Sequence, residues 1–307
     1  MSGPRELSSS PSLAGSYARA VLGLLPGGGD ELPDHALALP EIAVDRDRLA
    51  AYSRVCGFGL RDELPPTYLH ILAFPLAMRL MTERSFPFPL VGLVHVANRI
   101  EQLRPVEVAE RPALTVRAER LRPHRRGRQF DLVTEARADG ELAWREHSTY
   151  LRRGGGAQQG GEGERSDGGD APPESEEPES EPAAEGHEEE PPRGEEVAVW
   201  DVPGDIGRRY AEVSGDRNPI HLHPLSARAF GFPGAIAHGM WMKARALASF
   251  EGRLPPSLTA EVEFRAPLRI PARAVLRSAP AESGWRFALT GKDGERTHLE
   301  GSIRADA

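Results

Sequence analysis

Tyr210-Ala211-Glu212-Val213-Ser214-Gly215-Asp216-Arg217-Asn218-Pro219-Ile220-His221 places a carboxylate and an imidazole five residues apart, with two turn signals between them. On an unbroken helix, residues five apart lie roughly 140° apart around the axis. On a strand they face opposite sides. The pair can converge only if the backbone bends. Gly215 can adopt the left-handed conformation that ends a helix. Pro219 fixes its own φ and drives Asn218 toward an extended conformation. The spacing therefore predicts a helix through 210–214, a cap at Gly215 and a tight loop that folds Asp216 back toward His221. Such a pair can hold a water between them and move its protons, the outline of a general acid/base site.

The same residues resemble the hydratase motif of the MaoC-like family, the (R)-specific enoyl-CoA hydratases and related acyl dehydratases. Tyr210, Val213, Ser214, Gly215, Asp216, Asn218, Pro219, Ile220, His221 and Ala227 fit that pattern, and Ile236-Ala237-His238-Gly239-Met240 resembles the segment that opens the family's central helix. The resemblance covers about the last 110 residues well and the first half only in outline. It implies an α+β double hotdog: two long helices, each wrapped by a curved antiparallel sheet, with two copies paired edge to edge.

The rest of the chain is organised accordingly. Residues 154–196 hold 15 acidic and 2 basic side chains, net −13, with no aromatic or β-branched residue. Such a segment buries too little apolar area to offset its ordering entropy, so a disordered, self-repelling linker is expected there. The remainder, with 31 acidic and 36 basic side chains, is net +5. A mildly basic globule suits an anionic ligand such as a nucleotide phosphate.

On either side of the linker the pattern repeats. Phe130–Thr134, Asp139-Gly140-Glu141 and the alternating His147–Arg152 are matched by Phe287–Thr290, Asp293-Gly294-Glu295 and His298–Arg304. Each reads as a hairpin. Longer strands are expected over 94–103 and 259–269, and helices over 68–81 and 237–250. The expected divisions are an N-terminal segment 1–30, a degenerate half 31–153, the linker 154–196 and a catalytic half 197–307. The degenerate half has Tyr52, Val55 and Gly57 in echo of Tyr210, Val213 and Gly215, but no Asp-x-Asn-Pro-x-His follows, and Asp62 and His70 stand at the wrong spacing. Residues 17–25 form an amphipathic stretch able to make a short packed helix.

By resemblance, the chemistry is reversible addition of water to a trans-2-enoyl thioester, as in fatty-acid metabolism, with no cofactor. Asp216 and His221 would flank the water. Gly239 would donate its backbone N–H to the thioester oxygen from the first turn of a helix, where amides lack partners and the dipole favours negative charge. Asn218, Ser214 and Gly215 would orient the loop. Phe230, Phe232, Met240 and Trp241 are the candidates for contact with the acyl group, although Trp241, Lys243 and Arg245 are bulkier or more charged than simpler relatives lead one to expect there. The thioester would be carried by CoA or by acyl carrier protein.

Other readings stand beside this one. Asp216, His221, His223 and His238 offer a carboxylate and three imidazoles to a metal, against which stand Pro224 and the fit to a metal-free motif. A hotdog thioesterase would direct the water at the carbonyl. A non-catalytic acyl-thioester-binding or assembly subunit would fit the first half taken alone. Nucleic-acid binding finds no aromatic-basic stripe. No run of 18 apolar residues suggests a membrane span, the N-terminus has no signal-peptide pattern, and the single Cys56 fits a reducing cytoplasm. The pseudo-dimer is internal, with a homodimer of whole chains also open.

Overall fold

The computed structural model describes residues 3–22, 30–154 and 194–306. The acidic linker read from composition lies almost wholly outside them. Its last two residues, Glu195 and Glu196, belong to a strand.

The first half runs β1 (Arg5–Glu6), α1 (Leu13–Leu22), β2 (Leu37–Leu39), α2 (Arg46–Cys56), α3 (Tyr68–Met81), β3 (Leu93–Gln102), β4 (Ala113–His124), β5 (Gly127–Ala138) and β6 (Glu141–Arg153). The second runs β7 (Glu195–Val202), α4 (Ile206–Ser214), α5 (Pro219–Leu222), α6 (Pro224–Ala229), α7 (Gly239–Ala248), β8 (Leu258–Phe264), β9 (Ala272–Ala281), β10 (Gly284–Gly291) and β11 (Thr297–Ala305). All strands join one sheet in the order β1-β2-β4-β5-β6-β3-β8-β11-β10-β9-β7.

That order is nearly palindromic about the β3–β8 seam. From the seam outward, β3, β6, β5, β4 and β2 mirror β8, β11, β10, β9 and β7. The seam itself is antiparallel, with Asn98 opposite Val262 and Ile100 opposite Ala260. The arrangement is the double hotdog, α+β, with α3 and α7 as the two enclosed helices.

The strands form because apolar residues recur at every second position. Leu114, Val116 and Ala118 of β4 are buried between half-exposed neighbours, as period 2 requires of a sheet with one covered face. The enclosed helices follow the opposite rule. Most of α3, including Leu69, Ile71, Leu72, Leu76 and Leu80, is buried, so it is apolar on nearly every side. In α7, Met240, Trp241, Met242, Ala244, Ala246 and Leu247 are buried, and so is Lys243. Trp144 of β6 ties the first half together by donating from Nε1 to Pro66 O at 2.8 Å.

The two halves also share a helix ending. α2 stops at Gly57, φ 86°, and α4 stops at Gly215, φ 82°, both left-handed. The Tyr52 and Tyr210 rings of these helices lie 6.3 Å apart. The echo read from Tyr52, Val55 and Gly57 is thus a shared local structure.

Two expected boundaries are corrected. The strand expected over 259–269 ends at Phe264; beyond it both Arg265 N and Ala266 N turn to His298 O, and Pro267 has no amide to continue the ladder. The helix expected from 237 starts at Gly239, because Ala237 N is held by Leu268 O at 2.9 Å and His238 is in extended backbone. Among the described residues no helix is long and apolar enough to cross a membrane.

Candidate active site

The site is assembled where three short elements meet. Gly215 ends α4 with its N–H on Ala211 O at 2.9 Å. A side chain at this φ would be strained, and a Cβ here would strike Leu13 of α1. The loop then closes on itself. Asp216 N donates to Ser214 Oγ at 3.1 Å, and Asn218 N donates to Asp216 Oδ1 at 3.1 Å. This is the self-bonding habit of Ser and Asp that makes them turn formers. Asn218 caps α5, accepting from Ile220 N, and Pro219 occupies its first position. Ser214, Gly215 and Asn218 shape the loop through these contacts.

His221 is carried on α5 and buried. Its Nδ1–H donates to Ile236 O at 2.8 Å, leaving Nε2 as the lone-pair nitrogen. A glycine brings it there: a Cβ on Gly207 of α4 would collide with the His221 carbonyl. His238, at the head of α7, stacks on His221 with ring centroids 3.7 Å apart. Its Nε2 donates to Asp216 O at 3.0 Å and lies 3.8 Å from Asp216 Oδ2. Its Nδ1 is buried with no partner among the described residues.

Asp216, His221 and His238 bring ligand-type atoms within 4.8 Å of one another, so the same cluster has the donor set of a metal site. His223 does not join it: exposed, it caps α6 by accepting from Leu225 N.

The electrostatics set the protonation states. Burial would raise the Asp216 carboxyl, but the His238 and His221 rings, the Asn218 N–H and His70 outweigh it and hold it below 3.8. Burial is also the main influence on both imidazoles. It depresses His221 despite Asp216 and the Ile236 carbonyl, and takes His238 down to about 3. At neutral pH the site is one carboxylate and two neutral imidazoles. Asp216 keeps 32 % of its side chain exposed, so it meets solvent, while His238 keeps 3 %.

Gly239 is the first residue of α7, where the helix supplies no acceptor for its N–H. A Cβ there would sit 2.9 Å from Phe264 Cε1, so only glycine lets the helix head approach that ring without displacement. The other residues expected to contact substrate lie at several places around the helix head. Trp241 is buried between the halves, donating from Nε1 to Val55 O at 3.1 Å and meeting Trp200 edge-on. Met240 is buried in the core. Phe230 is 43 % exposed beyond α6, and Phe232 is half-buried. Trp241 thus serves the junction of the halves, because its indole N–H finds its acceptor there.

The first half supplies groups that local spacing did not reveal. On α3, His70 Nδ1 donates to Glu146 at 2.9 Å to Oε1 and 3.0 Å to Oε2. Asn98 Nδ2 also donates to Glu146 Oε1, at 2.6 Å. Lys243, fully buried, donates to Asn98 O, Asn98 Oδ1 and Ala260 O, so one polar network crosses the seam. His70 and Glu146 line a small cavity with Phe74, Leu132, Ser148 and Tyr150. Phe74 also lies 3.8 Å from the Cβ position of Gly215, so this cavity adjoins the loop.

A double hotdog bearing this loop-and-helix-head site defines the class, and comparison agrees: the MaoC like domain family matches residues 185–284. The chain is 36 % identical over 296 residues to 3-hydroxyacyl-thioester dehydratase X of Mycobacterium tuberculosis, covering 96 % of this chain and 98 % of that one. The crystal structure of HtdX from the same organism superposes with a TM-score of 0.73 at 33 % identity, covering 89 % of this chain and all of that one. Another M. tuberculosis protein, described as having a double hotdog fold, superposes with a TM-score of 0.53 at 13 % identity, a likeness of fold alone, over 91 % of this chain and 98 % of that one. The chain belongs to the MaoC-like dehydratase family and is a hydro-lyase.

Proposed function

We propose that the chain reversibly hydrates trans-2-enoyl thioesters to (R)-3-hydroxyacyl thioesters, with Asp216 and His221 as the acid/base pair. The observation that carries this reading is the convergence of Asp216 with His221 and His238 within 4.8 Å, next to Gly239 at the head of α7, where the helix supplies no acceptor for the N–H. Water held between carboxylate and imidazole loses a proton as its oxygen bonds to C3. A proton then reaches C2, and the Gly239 amide stabilises the enolate oxygen. Dehydration runs the same steps backward. Asp216 and His221 act as one coupled unit, so the proton to C2 is assigned to the pair. The dehydratase name of the relative that matches nearly end to end supports the thioester substrate.

The test is loss of the enoyl-thioester absorbance with crotonyl-CoA and with a longer 2-enoyl-CoA, plus chiral analysis of the product. His221→Ala is expected to slow turnover about 10²-fold or more. Free thiol released in place of a 3-hydroxyacyl thioester would point to a thioesterase. Failure on both CoA esters and on the acyl-carrier-protein esters would leave the non-catalytic reading. Activity lost to a chelator and restored by a divalent cation would assign the Asp216–His221–His238 cluster to a metal.

The pH profile is a second test. The reaction needs Asp216 ionised and His221 neutral, and both groups are displaced downward from their ordinary values. kcat/KM is therefore expected to stay level as pH falls through 6.5, the ordinary imidazole value, and to decline only below it. An acid limb at or above 6.5 would contradict the assignment.

A further inference from the structure

The catalytic loop is gripped from outside its own half, by residues that lie beyond the matched family segment. Leu13 and Tyr17 stand four apart on α1 and so share one face. Leu13 fills the space that a side chain on Gly215 would need. The Tyr17 hydroxyl uses both its capacities on the loop, donating to Gly215 O at 3.0 Å and accepting from Arg217 N at 2.6 Å. These are the peptide groups immediately before and after Asp216.

From α2, Arg48 reaches the end of α4. Its Nε donates to Val213 O at 2.8 Å and its Nη2 to Ser214 O at 3.4 Å. Those carbonyls have no helical partner, and a cation there is favoured by the helix dipole. Inside its own half the loop is held by the Gly215 cap bond, by the turn contacts of Ser214 and Asn218, and by His238 on Asp216 O, and Tyr17 and Arg48 add a second restraint from the first half.

We propose that Tyr17 is a positioning residue for Asp216, and that α1 together with Arg48 forms a clamp that fixes the catalytic loop. This rests on the reading of Asp216 as a catalytic group. Nothing in the clamp touches the reacting atoms: it acts by holding the two peptides that flank Asp216, so that the carboxylate meets the water at one fixed angle. The N-terminal segment is on this account part of the active-site framework, and the second half is incomplete without the first.

The experiment compares wild type, Tyr17→Phe, Arg48→Gln and Asp216→Asn in the full chain, using crotonyl-CoA turnover and amide hydrogen exchange of residues 211–222. Tyr17→Phe keeps the ring and removes both hydroxyl bonds. It is expected to lower kcat about 10- to 100-fold, the scale of an ångström-sized misplacement, with KM within about twofold and the melting temperature little changed. Exchange at Arg217 N–H should accelerate while core strands stay protected. Arg48→Gln should act in the same direction, so the proposal does not depend on one variant folding well. Tyr17→Phe with wild-type kcat and wild-type exchange, alongside an inactive Asp216→Asn, would overturn the clamp and leave the catalytic reading intact. An Asp216→Asn enzyme as fast as wild type would overturn both.

Discussion

Asp216→Asn is expected to reduce hydration about 10²–10⁴-fold, with little loss of stability. The substitution separates charge from shape. An asparagine oxygen can still accept from Asn218 N, which is how Asp216 closes its turn at 3.1 Å. Gly215 keeps its left-handed cap and Pro219 its place at the head of α5. What disappears is the negative charge and the ability to take a proton. The loss also reaches His221, because Asp216 is the principal influence raising that imidazole against its burial. Without the carboxylate, His221 becomes a poorer proton carrier as well, so one substitution disables both members. Stopped-flow or steady-state absorbance on the substrate that wild type turns over measures the effect. A reduction under about tenfold, far below what positioned acid/base groups contribute, would remove Asp216 from the mechanism.

His70→Leu carries the largest expected effect on stability, about 1–3 kcal/mol at neutral pH, the usual result of taking a hydrogen-bond partner from a buried acceptor. Glu146 is buried in the sheet, and burial is the largest influence on it, pushing its carboxyl up. His70 heads the groups that reverse this, with Asn98 and Lys243, so the carboxyl ends below its ordinary 4.5. The sign of the pH dependence follows. In wild type a depressed carboxyl contributes stability above about 4.5 that is lost as pH falls through the lower folded value. In the variant, burial acts with less opposition and the folded value moves up. The deficit should therefore grow as pH rises through the carboxylate range and shrink in acid. Adding Glu146→Gln should recover much of the loss by removing the stranded charge. Denaturant midpoints across pH test this, and a neutral-pH cost under about 1 kcal/mol, typical of an exposed pair, would show that Glu146 does not depend on His70.

The division between what was legible in the sequence and what was not follows from distance along the chain. The turn from α4 through Gly215 to Asp216 and on to α5 could be read directly, because each signal acts on its immediate neighbours: a glycine cap, an Asx turn, a proline at a helix start. The duplicated hairpins were legible for the same reason, since strand periodicity and Asp-Gly turns are local. His238 was visible as a motif neighbour of Gly239, yet its stacking on His221 depends on α7 meeting α5 across the site. Tyr17 and Arg48 carry no local signal at all, as their loop partners lie 198 to 200 and 165 to 166 residues away. His70 stands at the wrong spacing from Asp62 for the motif, and its actual partner, Glu146 on β6, lies 76 residues further along, beyond the reach of a local spacing argument. Phe230 and Trp241, both near the motif in sequence, show that proximity along the chain does not fix orientation: packing leaves one exposed and sets the other at the junction of the halves.

The mirrored strand order also bears on how the chain comes off the ribosome. β3 is complete at Gln102, but the neighbour that covers its outer edge, β8, does not begin until Leu258. Throughout the synthesis of residues 103–257 the nascent first half must carry an unpaired strand edge, the kind of surface through which sheets join indiscriminately. Arg99 and Glu101, charged side chains on that edge strand, discourage such unions. When β8 arrives, Arg99 pairs with Glu261 across the seam. The residues that guard the edge while it waits are also among those that recognise its proper partner.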